Sequence, residues 1–264
     1  MPLDANRRKE IYRLVPEGAL VTRAWLQSHD LSGHAIDNLI KSKQLTSLKN
    51  GVYKREGSSV AWGDVVYFLQ RNDATDLTIG GITALQLLKL SHYLSFSDKR
   101  IVQLYGQDPL PTWVNRVTDD SFFQKGNASD LLGQAADPLL AKQLNQFTRT
   151  VDWKDTREGL RISTPERAIL EVINEIPSKI SFEHAEELMQ GLNTLSPRAL
   201  QQLLELCNNF KVRRLFFWYA ERQNHPWLVK LDRDRIELGS GNRVIVKGGH
   251  LNKKYRITVP DRYE

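Results

Sequence analysis

The stretch that most constrains the fold is "LTSLKNGVYKR", residues 45–55. Polar and apolar residues alternate on both sides of Asn50-Gly51. Such a pair supplies two positions that tolerate positive φ, so the segment predicts a tight two-stranded hairpin. It follows a run at helical spacing, in which Ile36, Leu39 and Ile40 recur at i, i+3 and i+4 behind Ser32 as N-cap. His34, Asp37, Asn38 and Lys41 then fall on the opposite or flanking faces. Upstream, "DANRRKEIYRLV" predicts a first helix capped by Asp4, and "PEGALV" breaks it at Pro16 and Gly18. Thr22 caps a second helix in which Trp25 and Leu26 point inward. Three short helices and then a basic ribbon is the order of a winged helix-turn-helix, with the third helix suited to a DNA major groove and the hairpin as its wing.

Charge is distributed in the same sense. Residues 1–57 carry ten Lys/Arg against six Asp/Glu, residues 58–196 thirteen against eighteen, and residues 197–264 fourteen against seven. Two basic ends around an acidic middle suit a protein that touches nucleic acid with one or both ends. Cys207 is the only cysteine, which excludes an intrachain disulfide and a thiolate-rich metal site. No apolar run approaches the roughly 18 residues of a membrane span, and the first residues lack the apolar block of a signal peptide, so no membrane is expected and the expected location is the cytoplasm.

Beyond Ser58 the texture is mixed α/β. "AWGDVVYFLQ" is helical, Gly80-Gly81 precedes another helix, and "KRIVQLYG", "TWVNRV" and "DSFFQKG" look like short strands. In "ISTPERAILEVINEIP", Thr164 caps a helix with Pro165 at its first position and Glu166 in its first turn. "SFEHAEELMQGL" and "SPRALQQLLELCNNF" predict a further pair, and the tail turns through "GSGN" and "GGH" into hairpins with a basic edge. The expected fold is α+β and multidomain. A winged helix-turn-helix over residues 1–57 precedes a larger mixed α/β domain over 58–264, with room for a division into two lobes near 160.

Each candidate site has a plain structural alternative. His34, Asn38 and Lys41 are read as base-edge contacts, since Asn pairs with adenine and Lys reaches guanine; the alternative is a solvated face. Lys43, Lys49, Lys54 and Arg55 are read as phosphate contacts, four of which predict a log-log salt slope of roughly −3 to −4. Thr22 and Arg23 are placed to hold a phosphate on free backbone N–H groups, and Tyr53 either touches the DNA backbone or packs in the core. Gly80-Gly81 invites a phosphate-loop reading, but no Lys-Ser/Thr or third spaced glycine follows, which favours a structural turn. Glu166, Glu171 and Lys179 make a poor nuclease set, because five residues along a helix displace Glu171 by about 140° from Glu166. The six histidines show no metal-ligand spacing, no nucleophile elbow is present, and Cys207 among leucines reads as an inert thiol. No metal, cofactor or catalytic residue is expected. The aromatics of "KVRRLFFWYAERQNHPW" are read mainly as core. Arg213, Arg214, Lys247, Lys253, Lys254 and Arg256 form a possible second basic surface for RNA, DNA or an acidic partner.

The winged segment ending in "NGVYKR", followed at these distances by "GGITALQLL" and "STPERAILEVINE", resembles the AbiEi family of antitoxins from type IV, abortive-infection toxin-antitoxin systems. The likeness runs from the first helix to near Pro260, carried by the order and spacing of motifs that are individually common. It implies an N-terminal winged domain that binds operator repeats in double-stranded DNA upstream of its own operon and represses it. It implies also a larger C-terminal domain that opposes a co-encoded nucleotidyltransferase toxin without needing a stable complex with it. The resemblance assigns the C-terminal basic patch no task. Two rivals are a winged-helix transcription factor with a ligand-sensing C-terminal domain and no toxin, and a nucleic-acid enzyme using the C-terminal charged residues.

Overall fold

A computed structural model describes residues 11–49, 51–71, 74–91, 99–127, 131, 143–154 and 156–263. The expected Asp4 cap and Asn50 of the hairpin turn lie outside the described residues. The chain opens with α1 (residues 11–14), then β1 (Leu20–Thr22), α2 (Arg23–Ser28), α3 (Gly33–Lys41), β2 (Leu45–Lys49) and β3 (Val52–Arg55). Ile11, Val15, Val21, Leu26, Ile36, Leu39, Leu45 and Tyr53 close a small core between these elements. Two expectations change here. The segment after Pro16 does more than break the first helix: Leu20–Thr22 pairs antiparallel with β3, so the ribbon is a three-stranded sheet in the order β1-β3-β2. Trp25 is only half-buried and stacks on His29, with ring centroids 3.9 Å apart, whereas Leu26 is buried as expected.

The remainder is built on a five-stranded mixed sheet in the order β6-β5-β4-β8-β7. Its strands are β4 (Thr78–Ile79), β5 (Arg100–Tyr105), β6 (Ser121–Lys125), β7 (Thr148–Val151) and β8 (Leu160–Ser163). "TWVNRV" is not a strand: Val114–Arg116 is a 3-10 turn, from which the Asn115 side chain accepts from the Phe123 N–H at 2.6 Å and donates to its carbonyl at 3.1 Å. Helices α4 (Trp62–Arg71), α5 (Gly81–Leu87), α6 (Pro165–Asn174), α7 (Phe182–Gln190), α8 (Pro197–Leu206) and α9 (Phe210–Gln223) pack with the sheet. Thr164 takes the N-cap backbone conformation of α6 with Pro165 after it, but its hydroxyl makes no cap bond. Cys207 is buried and closes α8 rather than lying within it.

Helix α9 is buried on nearly all sides, from Val212 through Ala220, as a helix with apolar residues around its whole circumference must be. Arg213 and Arg214 go inside with it, so they are not part of a basic surface. Arg213 donates to the carbonyls of Leu204 (2.9 Å), Glu205 (3.1 Å) and Glu237 (2.7 Å). Arg214 donates to those of Leu238 (2.6 Å), Gly241 (2.8 Å), Arg256 (3.2 Å) and Ser240 (3.3 Å). A buried guanidinium is tolerated when its fixed fork of donors is matched, and here main-chain oxygens match it. The tail these arginines hold ends in the antiparallel hairpin β9 (His250–Asn252) and β10 (Ile257–Val259).

Candidate nucleic-acid interface

Residues Thr22 to Arg55 place α3 and the β2–β3 hairpin side by side. The Thr22 hydroxyl accepts from the Trp25 N–H at 3.0 Å and the Ser32 hydroxyl from the Ala35 N–H at 3.2 Å, which sets where α2 and α3 begin. Their relative angle is held by Arg23, whose guanidinium donates to Asp37 Oδ1 at 2.9 Å and to the Gly33 carbonyl at 3.1 Å. The Arg23 guanidinium holds the Asp37 carboxyl below its ordinary range. The Arg23 N–H donates to the Gly51 carbonyl at 3.1 Å, tying the turn of the hairpin to the start of α2. Ile36 and Leu39 are buried and Ile40 half-buried, while His34, Asn38 and Lys41 are exposed. Lys41 sits in the last turn of α3, where the helix dipole favours a cation.

The structure sorts the remaining candidates. Lys43, at φ +54°, and Lys49 are exposed, and the Lys49 ammonium lies 5.6 Å from the centroid of the Trp113 ring. Lys54 donates to the Ser58 carbonyl at 2.9 Å. Arg55 pairs with Glu17 at 3.3 Å and lies 4.4 Å from the centroid of the Tyr12 ring. Tyr53 is core. Of the amides at the start of α2, those of Trp25 and Arg23 already serve Thr22 Oγ1 and the Gly51 carbonyl. Sequence reasoning did not find the Arg23–Asp37 pair, although an acid between His34 and Asn38 on an otherwise basic helix was a visible signal.

Elsewhere the suspected chemistry dissolves into structure. Glu166 accepts from the Ser196 N–H at 2.8 Å, Glu175 takes Lys179 at 2.9 Å, and Glu171 is buried in a different place. Among the described residues no group of three His, Cys, Asp or Glu side chains is placed to hold a metal ion. In the second basic set, Lys254 is paired with Glu221 at 2.5 Å, and Lys247, Lys253 and Arg256 are exposed. No helix among the described residues is long and apolar enough to cross a membrane.

Two family models cover almost the whole chain. One, described as "Transcriptional regulator, AbiEi antitoxin N-terminal domain", matches residues 5–96; the other, "Transcriptional regulator, AbiEi antitoxin, Type IV TA system", matches residues 99–260. The chain belongs to the AbiEi family. Its architecture of an N-terminal domain and a larger mixed α/β domain accords with that membership, and a family of transcriptional regulators brings with it DNA and a toxin-antitoxin setting. The family is one of regulators and antitoxins, not of enzymes. The fold is also similar to that in the crystal structure of the RV2827C protein from Mycobacterium tuberculosis, with a TM-score of 0.57 at 14% identity over 95% of this chain and 89% of that one. Among curated proteins none matches.

Proposed function

We propose that this AbiEi-family chain is a DNA-binding autorepressor and the antitoxin of a type IV system, countering a co-encoded nucleotidyltransferase toxin. In this proposal residues 1–57 act as a winged helix-turn-helix, and residues 58–264 form the antitoxin domain. The observation that carries the DNA-reading half is the outer face of α3. His34, Asn38 and Lys41 are exposed on a helix whose angle is fixed by an ion pair, beside a hairpin with Lys49 near its tip. His34, Asn38 and Lys41 read base edges in the major groove, and Lys43 and Lys49 contact phosphate. Lys54 and Arg55, engaged by Ser58 and Glu17, contribute to shaping the wing more than to phosphate contact.

The ligand-sensing alternative would use a cavity beside the N-terminal elements. A cleft of about 290 Å³ lies between the turn at Pro16–Leu20 and the α4 residues Asp64, Tyr67 and Phe68. Its polar groups already serve one another. Asp64 accepts from Lys154 at 2.5 Å, from Trp153 Nε1 at 2.8 Å and from the Ala61 N–H at 3.0 Å, which leaves an effector little to recognise. The first reading is therefore preferred.

The test is fluorescence anisotropy of the full chain on DNA from just upstream of its gene, against scrambled DNA at several salt concentrations. Asn38→Ala and Lys41→Ala are each expected to lose about 1–3 kcal/mol of preference for the cognate sequence, and Lys43→Gln to weaken both DNAs alike. Equal affinity of the unsubstituted chain for cognate and scrambled DNA overturns the reading. The antitoxin half is tested by co-expression with the neighbouring gene product. Rescue of growth that survives Asn38→Ala places antagonism outside α3.

A further inference from the structure

The parallel strands β5 and β6 leave one corner of the large sheet bare. On one face Val102 and Phe123 are buried in the core of the body. On the other, Ile101 and Phe122 stand opposite each other in register and are 47% and 48% exposed. Parallel strands are ordinarily covered on both faces, so an in-register apolar pair open to water marks a place where another surface fits. The charges beside it are ordered. The Arg100 N–H donates to the Asp120 carbonyl at 2.8 Å, which carries the pairing back before Ile101 and Phe122. The strand period of two then puts Lys99 on the side of Ile101 and Asp120 on the side of Phe122. Arg100 turns instead towards α4, its guanidinium 5.7 Å from the centroid of the Trp62 ring. Lys99 and Asp120 are exposed. On this face β5 therefore presents a cation and then an apolar side chain, and β6 an anion and then an apolar side chain.

We infer that this corner is a dimer seam, and that a second copy of the chain covers it. Symmetry selects that occupant. A twofold axis running between β5 and β6, parallel to them and in the plane of contact, lays β5 of one copy over β6 of the other without reversing the strands. Ile101 then meets the second copy's Phe122 and Lys99 meets the second copy's Asp120, and the axis repeats both contacts. Such an isologous contact closes after two copies, and its charges are complementary to themselves. The competing mode, edge-to-edge pairing along β6, is obstructed because the Asn115 amide occupies both backbone groups of Phe123. The seam lies in the body and does not rest on DNA reading by α3.

The experiment is sedimentation velocity of the full chain over about a hundredfold range of concentration, in which a dimer grows in by mass action. Phe122→Lys places a charge in the centre of the seam and is expected to weaken dimerisation at least about tenfold. Lys99→Glu and Asp120→Lys are each expected to weaken it too, because each sets like charges against one another at both contacts. Equimolar mixing of these two variants is expected to restore the dimer, since in the mixed pair both contacts again join a cation to an anion. A surface that is not related to itself by the twofold axis gives no such rescue. Should circular dichroism show that Phe122→Lys does not fold, the mixing experiment with the two exposed charge variants decides the matter. A chain that stays monomeric at every concentration overturns the inference and leaves the corner to a different protein. A dimer unchanged by Lys99→Glu and Asp120→Lys overturns it as well, as does a mixture that associates no better than either variant alone.

Discussion

Glu171 shows how one residue answers a question that its neighbours in sequence left open. The glycine pair at 80–81 has the look of an anion-binding turn, and an anion does sit in it: the Gly81 N–H donates to Glu171 at 2.9 Å. The carboxylate is 1% exposed and also accepts from Ser163 Oγ at 3.0 Å and Arg167 Nε at 2.8 Å. Gly81 stands at φ +53°, and a Cβ on Gly80 would overlap the carboxylate, so both glycines are required. Burial raises the Glu171 pKa, against the opposing pull of Arg167, the Gly81 amide and Ser163. A folded-state pKa above the unfolded value means that the native chain holds the proton longer. The contribution of Glu171 to stability is therefore greatest below the unfolded carboxylate value and declines as pH rises through the folded one. Glu171→Gln, which does not titrate, is expected to cost more stability at about pH 4 than at about pH 8. Glu171→Ala leaves Arg167 buried without its partner and is expected to cost about 3–5 kcal/mol at neutral pH, read as a shift in urea midpoint.

Among elements, β6 and α9 mark where local pattern stops being informative. β6 is an edge strand whose neighbour in register places Ile101 opposite Phe122, both exposed. Edge strands with apolar faces invite pairing with other chains, and this one is blunted by the Asn115 amide, which occupies both backbone groups of Phe123. Asn115→Ala is expected to raise the aggregation rate on mild heating, measured by light scattering, with little change in initial secondary structure. An aggregation rate equal to that of the unsubstituted chain would show that the cap is dispensable. The strand character of "DSFFQKG" was legible from its composition, but "TWVNRV" has the same β-rich composition and forms the capping turn instead. Propensity describes a pleated, half-buried surface and does not say which segment obtains one. In α9 the rings of Phe216, Phe217, Trp218 and Tyr219 were legible as core, yet the two arginines beside them were not. Only the carbonyls of residues 204–205 and 237–256, delivered by other elements, make their burial tolerable.

At the scale of the molecule, the N-terminal elements and the body are not independent. Leu20 of β1 and Val52 of β3 are buried in the large core, Leu48 packs against it, and Lys49 lies over Trp113. The turn through Gly18 is held by the Ser58 hydroxyl at 2.7 Å and rests against Asp64. Deleting residues 1–57 would strip this apolar cover from the body, so point substitutions are the cleaner probe of α3. Leu20→Ala is expected to destabilise by about 2–5 kcal/mol, and to lower the unfolding midpoint of the body tryptophans together with that of the far-ultraviolet signal. A body midpoint left in place while the helical signal shifts would mean that the N-terminal elements melt alone. Local sequence set the helix starts at Thr22 and Ser32, the buried face of α3, the core placement of the α9 rings and the hairpin around Gly51. These depend on residues within one or two turns of each other, and so on the chain's own short-range geometry. Tertiary structure alone decided which charges remain available. Arg55 meets Glu17, Arg23 meets Asp37, Lys154 meets Asp64 and Arg214 meets the Arg256 carbonyl across 14 to 90 positions, and no local spacing encodes a partner that only folding brings within 3 to 4 Å.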